Sequence, residues 1–289
     1  MKTNRKHYWG YLFLIIPLLL QLIFFFIPLF QGAYYSLTDW SGLTREWNFI
    51  GLDNFRRAFS DPRFTNSLRF TTLYTVVLIV GEIVIGIAGA LLLNQKIPGR
   101  SFFRTTYFFP AVLSTVTIGL IFSQIFNYGI PQIGRLLDIE FLQQNLLANP
   151  NTAPYAVSFV GLWQGVAMPI IIFLAGIQSI PQEIIEAAEI DGANKWEVFR
   201  HIMLPHLMPS ISIVFILALK SGVTAFDSIM ALTGGGPQNV TMSLGLLVYN
   251  AAFSNNEVGY ANAVAMILFA IILVISVIQM YLSNKSVSK

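Results

Sequence analysis

Six stretches of this sequence are apolar for about as long as a helix must be to cross a bilayer, and that limits the fold before any other feature does. They cover residues 9–37, 70–94, 105–127, 155–179, 210–232 and 260–282. The expected fold is therefore all-α: a polytopic membrane protein with six transmembrane helices in one transmembrane domain over residues 1–289. Composition agrees. The chain is 55% hydrophobic and 11% charged, whereas an ordinary soluble domain is about 25% charged. No residue from Tyr8 to Thr38 is charged, a run much longer than the apolar core of a signal peptide at about 7–15 residues. It reads as a retained first span, with Pro17 and Pro28 kinking or bounding it. Tyr8, Trp9, Tyr34, Tyr35, Trp40, Tyr107 and Tyr281 fall near predicted span ends, where amphipathic rings favour the interface.

Basic residues set the orientation. With the N-terminus inside, the inner segments hold Lys2, Arg5, Lys6, Lys96, Arg100, Arg104, Lys195, Arg200, Lys285 and Lys289. The outer ones hold Arg45, Arg56, Arg57, Arg63, Arg69 and Arg135, all but the last in the segment 38–69. The short turn "NQKIPGRSFFR" carries Lys96, Arg100 and Arg104 with no acid, and is the best local guide. Both termini are expected in the cytoplasm.

Several function classes drop out. The absence of cysteine removes thiol catalysis and thiolate metal sites. His7, His201 and His206 lack metal-ligand spacing. A net charge of +3 fits topology rather than nucleic-acid binding. No paired intramembrane acids, Ser/His pair or H-E-x-x-H argues for an enzyme, and no G-x-x-x-x-G-K-[ST] is present to hold ATP; "TGGGPQN" lacks the lysine.

Between the fourth and fifth spans lies a polar stretch over 180–209 that includes "EAAEIDGANKWEVFRHIMLP" (Glu186–Pro205). Pro181 suits a helix start. Ile184, Ile185, Ala187 and Ala188 make a small apolar face, with Glu183, Glu186 and Glu189 around it. Gly192 permits a left-handed turn. A second helix then sets Trp196, Phe199 and Met203 at i, i+3 and i+7, and Pro205 and Pro209 end it. Periodicity leaves two readings open: a helix resting on the bilayer, or an elbow seated in a partner's groove.

Glu186, Ala187, Ala188, Asp191, Gly192, Ala193, Phe199, Ile202, Leu204, Pro205 and Pro209 resemble the EAA loop of permease subunits of binding-protein-dependent ABC importers. "FIGLDNF" (Phe49–Phe55), "RSFFRTTYFFP" (Arg100–Pro110) and "FDSIMALTGGGPQNVT" (Phe226–Thr241) are similar to the carbohydrate branch, of maltose, multiple-sugar and glycerol-phosphate type. The resemblance implies a type I importer permease in a bacterial or archaeal cytoplasmic membrane. It implies heterodimer pairing with a second homologous permease, an ATPase subunit dimer coupled through Glu186, Ala187, Ala188, Asp191, Gly192, Ala193, Phe199, Leu204 and Pro205, and an extracytoplasmic solute-binding protein. ATP and Mg would belong to the ATPase, with no cofactor in this chain. The competing expectation is a secondary transporter or channel for small polar solutes. It would want a chain of ion-coupling carboxylates, and Glu82 and Asp227 are the intramembrane acids on offer.

A sugar path needs hydrogen-bonding groups and aromatic faces inside the bilayer. In "LWQGVAMP" (Leu162–Pro169) the candidates are Gln164, Gly165 and Met168, with Trp163 as packing; Gly165 permits close approach. By the resemblance, Gln164–Met168 and Gly222–Phe226 face the sugar, so Gly222, Thr224, Phe226 and Asp227 complete the set. Gly222 and Ala225 stand where the maltose pattern has asparagines, which puts maltose in doubt. Tyr74, Gln124 and Asn127 are weaker candidates. Glu82 is expected to pack against polar partners inside the protein. Lys220 and Asp227, seven apart on one face of the fifth span, are expected to pair with each other, to pair with the second permease, or to sense the solute. The glycines and Pro237 of the run Leu232–Pro237 predict a tight outer turn, and the resemblance implies that it lies near the mouth where the solute-binding protein docks.

Overall fold

The computed structural model describes residues 5–95 and 98–287. Lys2, Lys96 and Lys289 lie outside the described residues, as do the side chains of Arg5, Lys6, His7, Tyr8, Trp9, Arg100, Arg104 and Lys285. Helices account for the architecture, and the extended pairing found among the described residues is the single bridge Thr38–Phe49. In chain order they are α1 (5–35), α2 (Asp53–Ser60), α3 (Pro62–Asn94), α4 (Arg100–Val112), α5 (Thr115–Leu136), α6 (Ala153–Gly165), α7 (Ala167–Gln178), α8 (Gln182–Ile190), α9 (Lys195–His206), α10 (Met208–Val223), α11 (Asp227–Leu232), α12 (Leu244–Ser254) and α13 (Val258–Val287). Three of them are long and apolar enough to cross a membrane unbroken, at Phe13–Tyr35, Pro62–Asn94 and Val258–Tyr281; three bent pairs bring the number to six if each pair is one span.

The bends follow the prolines. A proline ring displaces the carbonyl four residues earlier and removes a donor. Three π-helical turns, Leu22–Phe26, Ile125–Gly129 and Phe199–Met203, each end two residues before a proline (Pro28, Pro131 and Pro205). The wider ladder accommodates the ring without ending the helix. Elsewhere the chain turns. α6 and α7 meet at 45°, where Pro169 stands four residues after Gly165. The expected third span, 105–127, is not one rod: its halves bend by 104° around extended Leu113, just after Pro110. The expected fifth span, 210–232, is also interrupted. α10 stops at Val223 and α11 starts at Asp227.

The chain forms two compact units, one of Met1–Asp61 with Val248–Ile267 and one of Pro62–Leu247 with Leu268–Lys289. In the first, Asn54 is buried and donates from Nδ2 to the carbonyls of Ser36 (2.9 Å) and Thr38 (2.8 Å), which fixes "GLDNF" under the end of α1. Arg57 pairs with Glu257 and lies 4.5 Å over the Tyr260 ring, whose hydroxyl donates to Asp61 (2.9 Å).

In the second unit, α3 is the axis against which α6, α7 and α10 pack. Small residues permit the approach, as expected where helices must associate without help from water. A Cβ at Gly86 would stand 2.9 Å from Pro169 and 3.0 Å from Phe173, and one at Gly89 3.0 Å from Ile170. The core so formed includes Phe70, Tyr74, Leu78, Ile118, Val157, Val160, Ile229 and Leu246, with a second cluster around Phe173, Ile177, Leu207 and Val214.

Candidate functional site

The break at 224–226 creates the site. Thr224 turns its hydroxyl back to the Lys220 carbonyl (2.8 Å), and buried Ser243 donates to the Ala225 carbonyl (2.6 Å) while accepting from Leu246 N (3.1 Å). Thr71 of α3 holds the next residue by accepting from Leu244 N (2.9 Å). With its carbonyl satisfied by Ser243, the chain can leave the helix inside the membrane region without the cost of an unpaired polar group.

Around this break lies a cavity of about 400 Å³. Tyr74 enters from α3, Ala111 and Thr115 from the α4–α5 corner, and Gly161, Gln164, Gly165 and Met168 from the α6–α7 bend. Ser221, Thr224, Ala225, Phe226, Asp227 and Ser228 come from the break itself. Gln164 Nε2 donates to Thr115 Oγ1 (3.1 Å), leaving its amide oxygen to accept. Thus Gln164, Gly165, Met168, Thr224, Phe226 and Asp227 are brought together on one wall system. Gly222 is not on it: it is buried against Thr75 of α3, whose Cα would be 2.8 Å from an added Cβ. Trp163 points elsewhere, stacking edge-on with Phe122 at 5.1 Å. Gln124 is exposed away from the cavity, and Asn127 bonds to Ser123 (3.2 Å) and Asn145 (2.7 Å).

Two expectations about charge are corrected. Lys220 and Asp227 do not share one helix face, because the helix ends between them. Glu82 is buried as expected, but its carboxyl has no hydrogen-bonding partner among the described residues. It lies directly behind Gly165, where any Cβ would collide with Oε1. The close approach that Gly165 permits is that of Glu82. Tyr74 was a weak candidate from the sequence, and Thr115, Ser221 and Ser228 were not candidates. Each stands among other polar residues of its helix (Thr71, Thr72 and Thr75 near Tyr74, Thr117 near Thr115, Lys220 beside Ser221, Asp227 beside Ser228), and nothing in the sequence singles it out.

The elbow at 180–209 is two helices on an αL hinge. Pro181 sits just before α8 rather than in its first turn, and Gly192 has φ +88°. Ala193 N donates to the Ala188 carbonyl (2.9 Å), closing α8. Asn194 and Glu197 form a reciprocal capping box that starts α9, a signal the sequence reading passed over. The π-turn at Phe199–Met203 interrupts the expected i, i+7 register; Trp196 and Phe199 still touch, with ring centroids 5.5 Å apart. Ser179 Oγ and His206 Nε2 are 2.9 Å apart and tie the two ends of the elbow. Glu186, Ala187, Asp191, Gly192 and Pro205 are exposed, while Ala188, Ala193, Phe199 and Leu204 are half-buried. Ile190 is 85% and Trp196 64% exposed, a large apolar surface for helices this polar.

The Gly-rich loop after α11 is closed by Thr241, which donates to the Gly236 carbonyl (2.6 Å) and meets the Thr233 hydroxyl at 2.7 Å. Gly234 and Gly235 both have positive φ, and the Gly236–Pro237 bond is cis.

A broken-helix bundle with a polar cavity at the break and an exposed helical elbow between spans is an architecture suited to a transport permease. The chain belongs to the family of inner membrane components of binding-protein-dependent transport systems, whose family model matches residues 82–287. It is 58% identical to the multiple sugar-binding transport system permease protein MsmF of Streptococcus mutans, over 98% of this chain and 99% of that one. It is 38% identical to the probable starch degradation products transport system permease protein AmyD of Thermoanaerobacterium thermosulfurigenes, over 98% and 97%. The fold matches a chain in the crystal structure of a bacterial ABC transporter involved in import of the acidic polysaccharide alginate. There the TM-score is 0.83 at 20% identity, covering 98% of both chains.

Proposed function

We propose that this chain is the membrane-spanning subunit of an ATP-driven sugar importer, working in a heterodimer with a second homologous permease. The elbow is the carrying observation: a hinged pair of helices, tied at its base by Ser179 and His206, that holds Ile190 and Trp196 out for a partner. Its partner in this reading is a separate ATPase dimer, which binds ATP and Mg and lies on the cytoplasmic side with both termini. ATP drives the cycle by favouring one of two permease conformations, since only differential binding shifts such an equilibrium. A solute-binding protein delivers sugar from outside, near the loop at Leu232–Pro237. The relatives' names, multiple sugars and starch degradation products, support the substrate class. Gln164, Thr115, Thr224 and Asp227 supply hydrogen-bonding groups for hydroxyls and Phe226 supplies an aromatic face.

Gly192→Pro tests the elbow, because proline cannot adopt the φ of +88° found there. The assembled complex is expected to insert normally and to lose ATPase stimulation by loaded binding protein. Full stimulation would refute coupling through this segment. Sugar uptake by the chain reconstituted without any ATPase would instead favour a secondary transporter or channel.

A further inference from the structure

The cavity at the helix break has an uneven charge. Asp227 lines it, exposed at the start of α11 and with no ion pair among the described residues. No lysine, arginine or histidine is among its lining residues. A second carboxyl, that of Glu82, stands behind the Gly165 backbone in the same wall, 5% exposed and without a hydrogen-bonding partner among the described residues. Lys220 belongs to the same stretch of chain but does not line the cavity. A carboxylate in such a place can accept hydrogen bonds from sugar hydroxyls, and charge-assisted bonds of this kind are about twice as strong as neutral ones. It repels any sugar that brings a carboxylate of its own, and a partly desolvated cavity screens that repulsion weakly.

We propose that Asp227 makes this cavity a charge filter that passes neutral oligosaccharides and rejects acidic ones. The inference rests on the reading of the cavity as part of the sugar path. Selection thus occurs inside the membrane subunit as well as at any binding protein that delivers the sugar.

The absence of cysteine in the chain provides a direct test. Ala111→Cys places a single thiol in the cavity lining. In the assembled complex, its modification by cationic trimethylammonioethyl and anionic sulfonatoethyl methanethiosulfonate is followed by mass on this chain, and each rate is divided by that for a free thiol. With an effective dielectric of about 20, a separation of about 10 Å and physiological salt, the normalised rates should favour the cation by about fivefold. In the Asp227→Asn background the preference should shrink to about twofold or less. Modification at equal normalised rates with Asp227 present would overturn the filter, as would a preference unchanged by Asp227→Asn. Modification by neither reagent in the folded complex, with both reacting after unfolding, would show that the cavity is not on a water-accessible path; that result removes the path reading itself, and the filter with it.

Discussion

Gly165→Ala is a perturbation whose sign depends on one neighbour. Gly165 closes α6, and an added methyl there would run into Oε1 of Glu82, with Cδ 3.2 Å away. Alanine favours the helix by up to about 1 kcal/mol. Overpacking opposes this by about 1–3 kcal/mol, since the carboxyl end of the Glu82 side chain must swing aside to make room. The single variant should therefore change stability by between about zero and 2 kcal/mol, which alone decides little. The double-mutant cycle decides. In a Glu82→Ala background the obstacle is gone, and Gly165→Ala should become neutral or stabilising. The coupling should then equal the overpacking cost of about 1–3 kcal/mol. Taking about 2–4 °C per kcal/mol for a chain of this size, the effect of Gly165→Ala on the unfolding midpoint of the purified complex should differ between the two backgrounds by about 2–12 °C. Equal shifts in both backgrounds would refute the placement of Glu82 behind Gly165.

Gly222→Ala provides the contrast. Its methyl would meet the Cα of Thr75 at 2.8 Å as well as Oγ1 at 2.6 Å, so a lowered midpoint should persist when Thr75→Ala removes only the hydroxyl and methyl, and full rescue would show that the backbones are not in contact. Gln164→Ala and Phe226→Ala should each reduce uptake at limiting sugar about 2- to 12-fold without ending it, the range given by about 0.5–1.5 kcal/mol for a neutral hydrogen bond; wild-type uptake by both would remove them from the path. Asn194→Ala breaks the capping box and should destabilise α9 by about 1 kcal/mol, read as faster amide exchange at Trp196 and Glu197, whereas unchanged exchange would show that the cap carries no stability.

The sequence determined what depends on local order. Run length and missing charge fix the existence of the spans, because an apolar helix of that length has few other places to be. The hinge at Gly192 was legible for the same kind of reason: a glycine between two short amphipathic patterns has a backbone consequence that needs no tertiary partner. Tertiary structure decided the rest. The 104° corner at Leu113 and the break at 224–226 depend on helices held against one another, and Ser243 and Thr71 support the break from elsewhere in the chain. Gly222 was assigned to the cavity by the family resemblance of the stretch Gly222–Phe226. One residue turns a helix by about 100°, and that rotation carries Gly222 from the wall where Ser221 stands to the seam against Thr75. Lys220 and Asp227 were placed on one face of a helix that does not continue between them. Glu82 was legible as a buried acid, but its place behind Gly165 was not, because that depends on how closely α3 and α6 approach and on the side chains that keep them apart.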